Sequence, residues 1–194
     1  MPQQASAIHK LTWHDWLDFP HGEGGLHELI DGEHVVTPSP LVAHQWFVMV
    51  LANRVFDHVQ AQGLGTVLAA PLGAVLSEHD VVEPDLLFVS NRRKGIVGDW
   101  IRGAPDLVVE VLSPSTRRRD EVVKRLRYER HGVDEYWLLG PAARAVRVLR
   151  RRGDRLLEAE SLSAAGGDRL RSPLLPGLEI PLADLFAAPP LQTD

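Results

Sequence analysis

The chain has 194 residues, 44% of them hydrophobic and 24% charged, enough for one domain with a sizeable core and ordinary for a soluble globular protein. It contains no cysteine, which excludes a disulfide framework and a thiolate metal site and fits a reducing cytoplasm. The first residues lack an apolar stretch of signal-peptide type, and no apolar run approaches the roughly 18 residues of a membrane span. The net charge of −5 hides an asymmetry. Seventeen of the 21 lysines and arginines fall within residues 92–155, against nine acids there, while the rest of the chain carries four basic and 17 acidic residues. Two readings stand side by side: an anion-facing surface, or arginines that solvate a helix and an edge hairpin.

In chain order, residues 1–10 are expected to be a flexible N-terminus. Thr12 can cap a short helix over residues 13–18, stopped by Pro20. Residues 26–30 and 34–37 read as a hairpin turning at Asp31-Gly32. Apolar residues at helical spacing over 41–59 predict a long amphipathic helix that ends at Gly63. Strands follow at 66–69, 72–76 and 85–89, then a polar loop over 90–100. Residues 107–112 form a near-continuous apolar run, as in a central strand covered on both faces. Ser113-Pro114-Ser115-Thr116 breaks that strand and starts a helix over 117–130, with Val122, Val123 and Leu126 as its expected core face and Gly132 just past its end. Strands at 135–139, 145–150 and 156–160 and a last helical turn at 182–186 complete the domain, 11–187. Residues 188–194 are expected to fray. This order predicts one α/β domain with a mixed β-sheet flanked by helices and an N-terminal hairpin, and a right-handed parallel crossover over 107–139.

The candidate chemistry lies in acids. Glu110 is a carboxylate inside an apolar strand, costly unless paired or bound to a metal. Asp85 opens a strand just after Pro84, 25 residues earlier, which leaves room for two neighbouring strands and the loop between them. Two carboxylates at one sheet end suit Mg²⁺, a hard cation that takes oxygen ligands and keeps several waters. Such an ion polarises a phosphodiester and acidifies a bound water. The plainer alternatives are a turn or capping role for Asp85 and a salt bridge from Glu110 to a nearby arginine. Lys124, about 100° round the helix from Val123, can bury its stem and aim its ammonium at the sheet end, or simply face solvent. Glu28, in the first hairpin strand, is a third acid if that strand lies close by and an exposed glutamate otherwise. Of the nine histidines, His44 at the start of the long helix stands nearest to this pattern. No pair has the spacing of a zinc protease, and Gly22-Glu23-Gly24-Gly25 is too short for a phosphate loop.

Pro84-Asp85, Pro105-Asp106 through Glu110 to Ser113-Pro114-Ser115, Lys124, Tyr128 and Gly132 through Tyr136-Trp137 together resemble the Uma family of restriction-endonuclease-like proteins, in the PD-(D/E)XK nuclease superfamily. The hairpin with Glu28 and Gly32, then Ser39-Pro40 and His44, and the tail from Ser172 to Gly177, are similar too, so the resemblance runs from about residue 11 to 187. It implies a restriction-endonuclease-like fold and a Mg²⁺-dependent endonuclease acting on DNA, with Mn²⁺ able to substitute. Asp85, Glu110 and Glu28 would hold the metal and Lys124 would position water. Leu112 stands where the superfamily usually places its lysine, and Lys124 on the following helix matches the alternative position. Asp106 is expected to be structural. With no added recognition domain in sight, a homodimer would supply two active sites. The competing reading is a catalytically inactive nuclease-fold module that binds nucleic acid or protein.

Overall fold

Thr12 caps the first helix as expected. In the computed structural model, which describes residues 10–20 and 25–187, its hydroxyl accepts the Asp15 N–H, and the Asp15 carboxylate accepts the Thr12 N–H in return. Of the expected flexible ends, 1–10 and 188–194, all but Lys10 lie outside the described residues, as does most of the Gly22–Gly25 stretch; Lys10 pairs with Asp31. Helix α1 (Trp13–Leu17) is followed by the hairpin β1 (Leu26–Ile30) and β2 (Glu33–Thr37). Asp31 and Gly32 both take positive φ at its turn, as a two-residue hairpin loop requires. Helix α2 (Val42–Gln62) closes at Gly63 in the left-handed conformation.

The strands then separate into more than the one sheet expected. β3 (Gly65–Ala69), β6 (Leu86–Ser90), β8 (Leu107–Val111), β9 (Glu135–Gly140), β10 (Ala145–Arg152) and β11 (Arg155–Ser163) belong to a six-stranded mixed sheet in the order β11-β10-β9-β8-β6-β3. The N-terminal hairpin joins β4 (Ala74–Ser77), β5 (Asp80–Val82) and β7 (Ile101–Arg102) in a second sheet, ordered β2-β1-β5-β4-β7. A short hairpin of β12 (Arg169–Ser172) and β13 (Leu175–Pro181) precedes α4 (Leu182–Leu185). β8 and β9 pair in parallel across the intervening helix, as the crossover requires.

Strand alternation sorts the six-stranded sheet into two faces. Leu86, Phe88, Leu107, Val109 and Val111 pack with Phe47, Leu51, Val55 and Val59 of α2. Leu87, Val89 and Val108 pack on the other side with Ile30, Tyr128, Tyr136 and Val133. The helix on that second side is not a uniform α-helix. Arg119–Lys124 is π-helical and runs into α3 (Arg125–His131), which ends at Gly132 with φ of 91°. Its expected core face is corrected here: Val122 and Leu126 are 50% and 52% exposed, whereas Asp120, Lys124 and Tyr128 are buried. The polar stripe turns inward because the buried partners it meets are themselves charged.

The basic surplus is also redirected. Ten of the 17 lysines and arginines of residues 92–155 pair with the protein's own acids. Asp106 is structural as expected: at the far end of β6 and β8 it accepts the Ser90 N–H and meets Arg92 and Arg93. Among the described residues no helix is long and apolar enough to cross a membrane.

Candidate active site

β6 and β8 run antiparallel with Leu86 opposite Val109, so the next step along the register sets Asp85 beside Glu110. The same alternation that sends Val108 and Leu87 to the face covered by Tyr128 and its helix sends Glu110 and Asp85 there as well. The Asp85 carboxylate accepts the Val111 N–H at 2.7 Å. Pairing to the strand end therefore holds it in place, beyond any turn role. On β1, Glu28 shares the face of Ile30 and is 1% exposed, so the exposed-glutamate alternative fails. It accepts the Glu83 N–H at 2.8 Å.

Lys124 joins these strands. Its Nζ lies 2.8 Å from Glu28 Oε1 and 2.6 Å from Glu110 Oε1, and it is 3% exposed. The arginine expected opposite Glu110 is thus this lysine. Tyr128 Oη donates to the same Glu110 oxygen at 2.8 Å. His44, at the start of α2, donates from Nε2 to the Val111 carbonyl at 3.0 Å and stands 3.3 Å from Asp85 Oδ2.

Three further residues belong to the site that the sequence pattern did not single out. Glu83 and Asp120 are buried acids in the same cleft, and Arg119 lines it too. The first two leave a signal in the chain: Glu83 interrupts an apolar run beside Pro84-Asp85, and Asp120, Lys124 and Tyr128 are spaced four apart on one helix.

Five carboxylates thus surround one ammonium, and titration directions follow. Burial raises Glu83 to about 7, reinforced by the charge of Glu28. Burial also pushes Glu110 well above the usual carboxylate range. Lys124 pulls it back, while Asp120, Asp85 and Glu28 push further. Asp120 is raised by burial against the opposing pull of Lys124 and Thr116. For Lys124, burial disfavours the ammonium, but Glu110, Glu28 and Asp120 outweigh it and hold the group charged. Burial likewise works against a charged His44, and the hydrogen bond and charge of Asp85 overcome it, leaving its pKa raised.

The acids lie at the floor of a cleft of about 1030 Å³. Its walls are the loop from Pro38 to Leu41, the segment from Ala70 to Gly73 with Trp100, and the turn from Leu112 to Thr116. Asp85, Glu110 and the Val111 carbonyl present oxygen donors, the kind a hard divalent cation takes. Among the described residues no group of three or more His, Asp or Glu side chains stands in ligating array. Glu28 is turned onto Lys124 and the Glu83 N–H instead. The donor set therefore fits an ion held by one or two carboxylates that keeps most of its waters, as Mg²⁺ does.

Comparison with known proteins agrees with this architecture. A solved structure, the crystal structure of a "putative nuclease belonging to DUF820" from Anabaena variabilis ATCC 29413, is similar to this chain with a TM-score of 0.74 at 21% identity, covering 91% of this chain and 97% of that one. At that identity it shows the shared fold. No curated protein matches. The family model Uma2, described as "Putative restriction endonuclease", matches residues 13–183, nearly the whole domain, and the chain belongs to that family.

Proposed function

We propose that the protein is a metal-dependent endonuclease that hydrolyses DNA phosphodiester bonds in this cleft, in the cytoplasm. Asp85 and Glu110 would hold Mg²⁺, for which Mn²⁺ can substitute, with Glu28 completing the acid set. When bound, the ion would polarise the phosphodiester and make a water nucleophilic near neutral pH. Lys124 is held charged, so it acts as a donor and not as a base. Of its three N–H bonds two serve Glu28 and Glu110, and the third is available to orient water or to steady charge growing on the phosphate. Tyr128 and Lys124 fix Glu110, and the Val111 N–H fixes Asp85. Cutting both strands of a duplex at once takes two such centres, which a two-fold homodimer would supply.

The observation that carries this reading is the meeting of Glu28, Asp85, Glu110 and Lys124, from four separate elements, at one cleft floor. The test is Asp85→Asn in a cleavage assay with Mg²⁺ or Mn²⁺, beside an ion titration by calorimetry. The expected outcome is a loss of at least about 10³-fold in cleavage with the thermal melt retained. Cleavage surviving in Asp85→Asn overturns the assignment. A second reading, an inactive nuclease-fold module binding nucleic acid or protein, draws on the lysine that already bridges Glu28 and Glu110. Its mark is metal-independent binding without turnover.

A further inference from the structure

The cleft is short of cations and rich in apolar walls. Of the lysines and arginines, Lys124 and Arg119 line it among the described residues, and Lys124 is committed to Glu28 and Glu110. Arg119 is half-buried at the mouth, with Nη2 donating to Thr37 Oγ1 at 2.6 Å and a buried Nε that has no hydrogen-bond partner among the described residues. A protein held along a duplex backbone typically makes on the order of 6–10 phosphate contacts. Here ten of the 17 lysines and arginines of residues 92–155 are paired with the protein's own acids, and the cleft itself offers one guanidinium.

The walls beside the acids present Pro38, Pro40, Leu41, Leu72, Trp100 and Leu112. Trp100 is half-buried and packs edge-on against Trp16 with ring centroids 5.1 Å apart. Apolar and aromatic walls suit the face of a base, and a base exposes that face only when it leaves its stack. Depth points the same way. Asp85, Glu110 and Lys124 are 8%, 4% and 3% exposed, so the phosphate must descend past the loops to reach them. A continuous duplex, whose major groove alone is about 12 Å wide, keeps its phosphates on the outside of a stiff cylinder. An unpaired strand can bend one down.

Resting on the nuclease reading above, we propose that this site takes an unpaired DNA strand, single-stranded or locally opened, in preference to continuous duplex. Arg119 grips a phosphate beside the scissile one, and the walls from Pro38 to Leu41 and at Trp100 hold the unstacked bases.

The experiment uses one short labelled oligodeoxynucleotide in three forms: alone, annealed to its full complement, and annealed to a strand that leaves a central unpaired bubble. Cleavage is followed with Mg²⁺ and with Mn²⁺. The single strand and the bubble are expected to be cut at least tenfold faster than the duplex, with cuts in the bubble confined to its unpaired part. Anisotropy over a salt series should give a shallow dependence, a log–log slope of about −1.4 for two phosphates on a single strand. Arg119→Ala should slow cutting of the single strand roughly tenfold without altering the ion titration or the melt, and Arg119→Lys should recover part of it. Duplex cut as fast as the single strand, or a steep salt slope, overturns the proposal and leaves the nuclease reading standing. No cutting of any form with either ion overturns both.

Discussion

Asp80, Glu83 and Glu110 are all buried carboxylates, yet Asp80 shifts in the opposite direction from the other two. Asp80 receives the Asp31 N–H and His131 Nε2, each at 2.9 Å, and has Arg127 3.5 Å away. Burial works to raise it, but these partners win and lower it to about 2. In the cleft, burial raises Glu83 to about 7 and Glu110 well above its ordinary value, the neighbouring acids add to the rise, and the pull of Lys124 does not offset it. Burial is common to both places, so the number of donors per carboxylate separates them. An acid kept for architecture is neutralised on the spot, and a surplus left unneutralised in a cleft is the arrangement expected where a cation or substrate completes the charge.

That contrast can be broken most severely at Lys124. Lys124→Met leaves Glu28 and Glu110 buried together without their cation, and urea unfolding should show a loss of about 3–5 kcal/mol. A loss below about 1 kcal/mol would mean that the acids do not depend on the lysine. Glu83 gives the next largest effect. Its folded pKa of about 7 stands above the ordinary glutamate value of 4.5. The stability it contributes is therefore present below pH 4.5 and lost as pH rises through about 7. Glu83→Gln should stabilise the metal-free protein by up to about 3 kcal/mol in alkaline buffer and change little near pH ~4, read as melting temperature against pH.

Asp80 reverses the sign. Its folded pKa is depressed, so its contribution is present above pH 3.8 and lost as pH falls through about 2. Asp80→Asn should cost about 2 kcal/mol at neutral pH, with the two melting curves converging in strong acid. A penalty that persists there would point to packing instead of charge. The smallest effect is Tyr128→Phe, which removes one hydroxyl from Glu110 and should cost about 1–2 kcal/mol by denaturant unfolding.

Much of this can be seen in the chain before folding. The hairpin at Asp31-Gly32, the helix ended by Gly63 and the apolar run with Glu110 inside it all announce themselves through local pattern. β5, β7 and the hairpin of β12 and β13 do not. The first two are three and two residues long and exist because neighbouring strands pair with them. The division into two sheets has the same origin, since which strands pair is decided by contacts far apart in sequence. The candidate acids Asp85, Glu110 and Glu28 are recognisable as types at positions. That Glu28 meets Lys124, across 96 residues, is a fact of tertiary packing. The helix face departs from its pattern for a related reason: Val122 and Leu126 outvote the polar stripe when burial is judged by hydrophobicity alone.

The π-helical turn gives that stripe its alignment. In a regular α-helix, at about 100° per residue, positions 120, 124 and 128 drift by about 80° over the two steps. The wider turn takes back part of that rotation, so Asp120, Lys124 and Tyr128 can all be buried on one face. The site is thus sensitive to helix type as well as to side chains. Were Arg119–Lys124 to tighten into an ordinary helix with its residues unchanged, Asp120 and Tyr128 would stand about 80° apart round the axis. Asp120 would leave the lysine's side while every member of the cage remained in the chain.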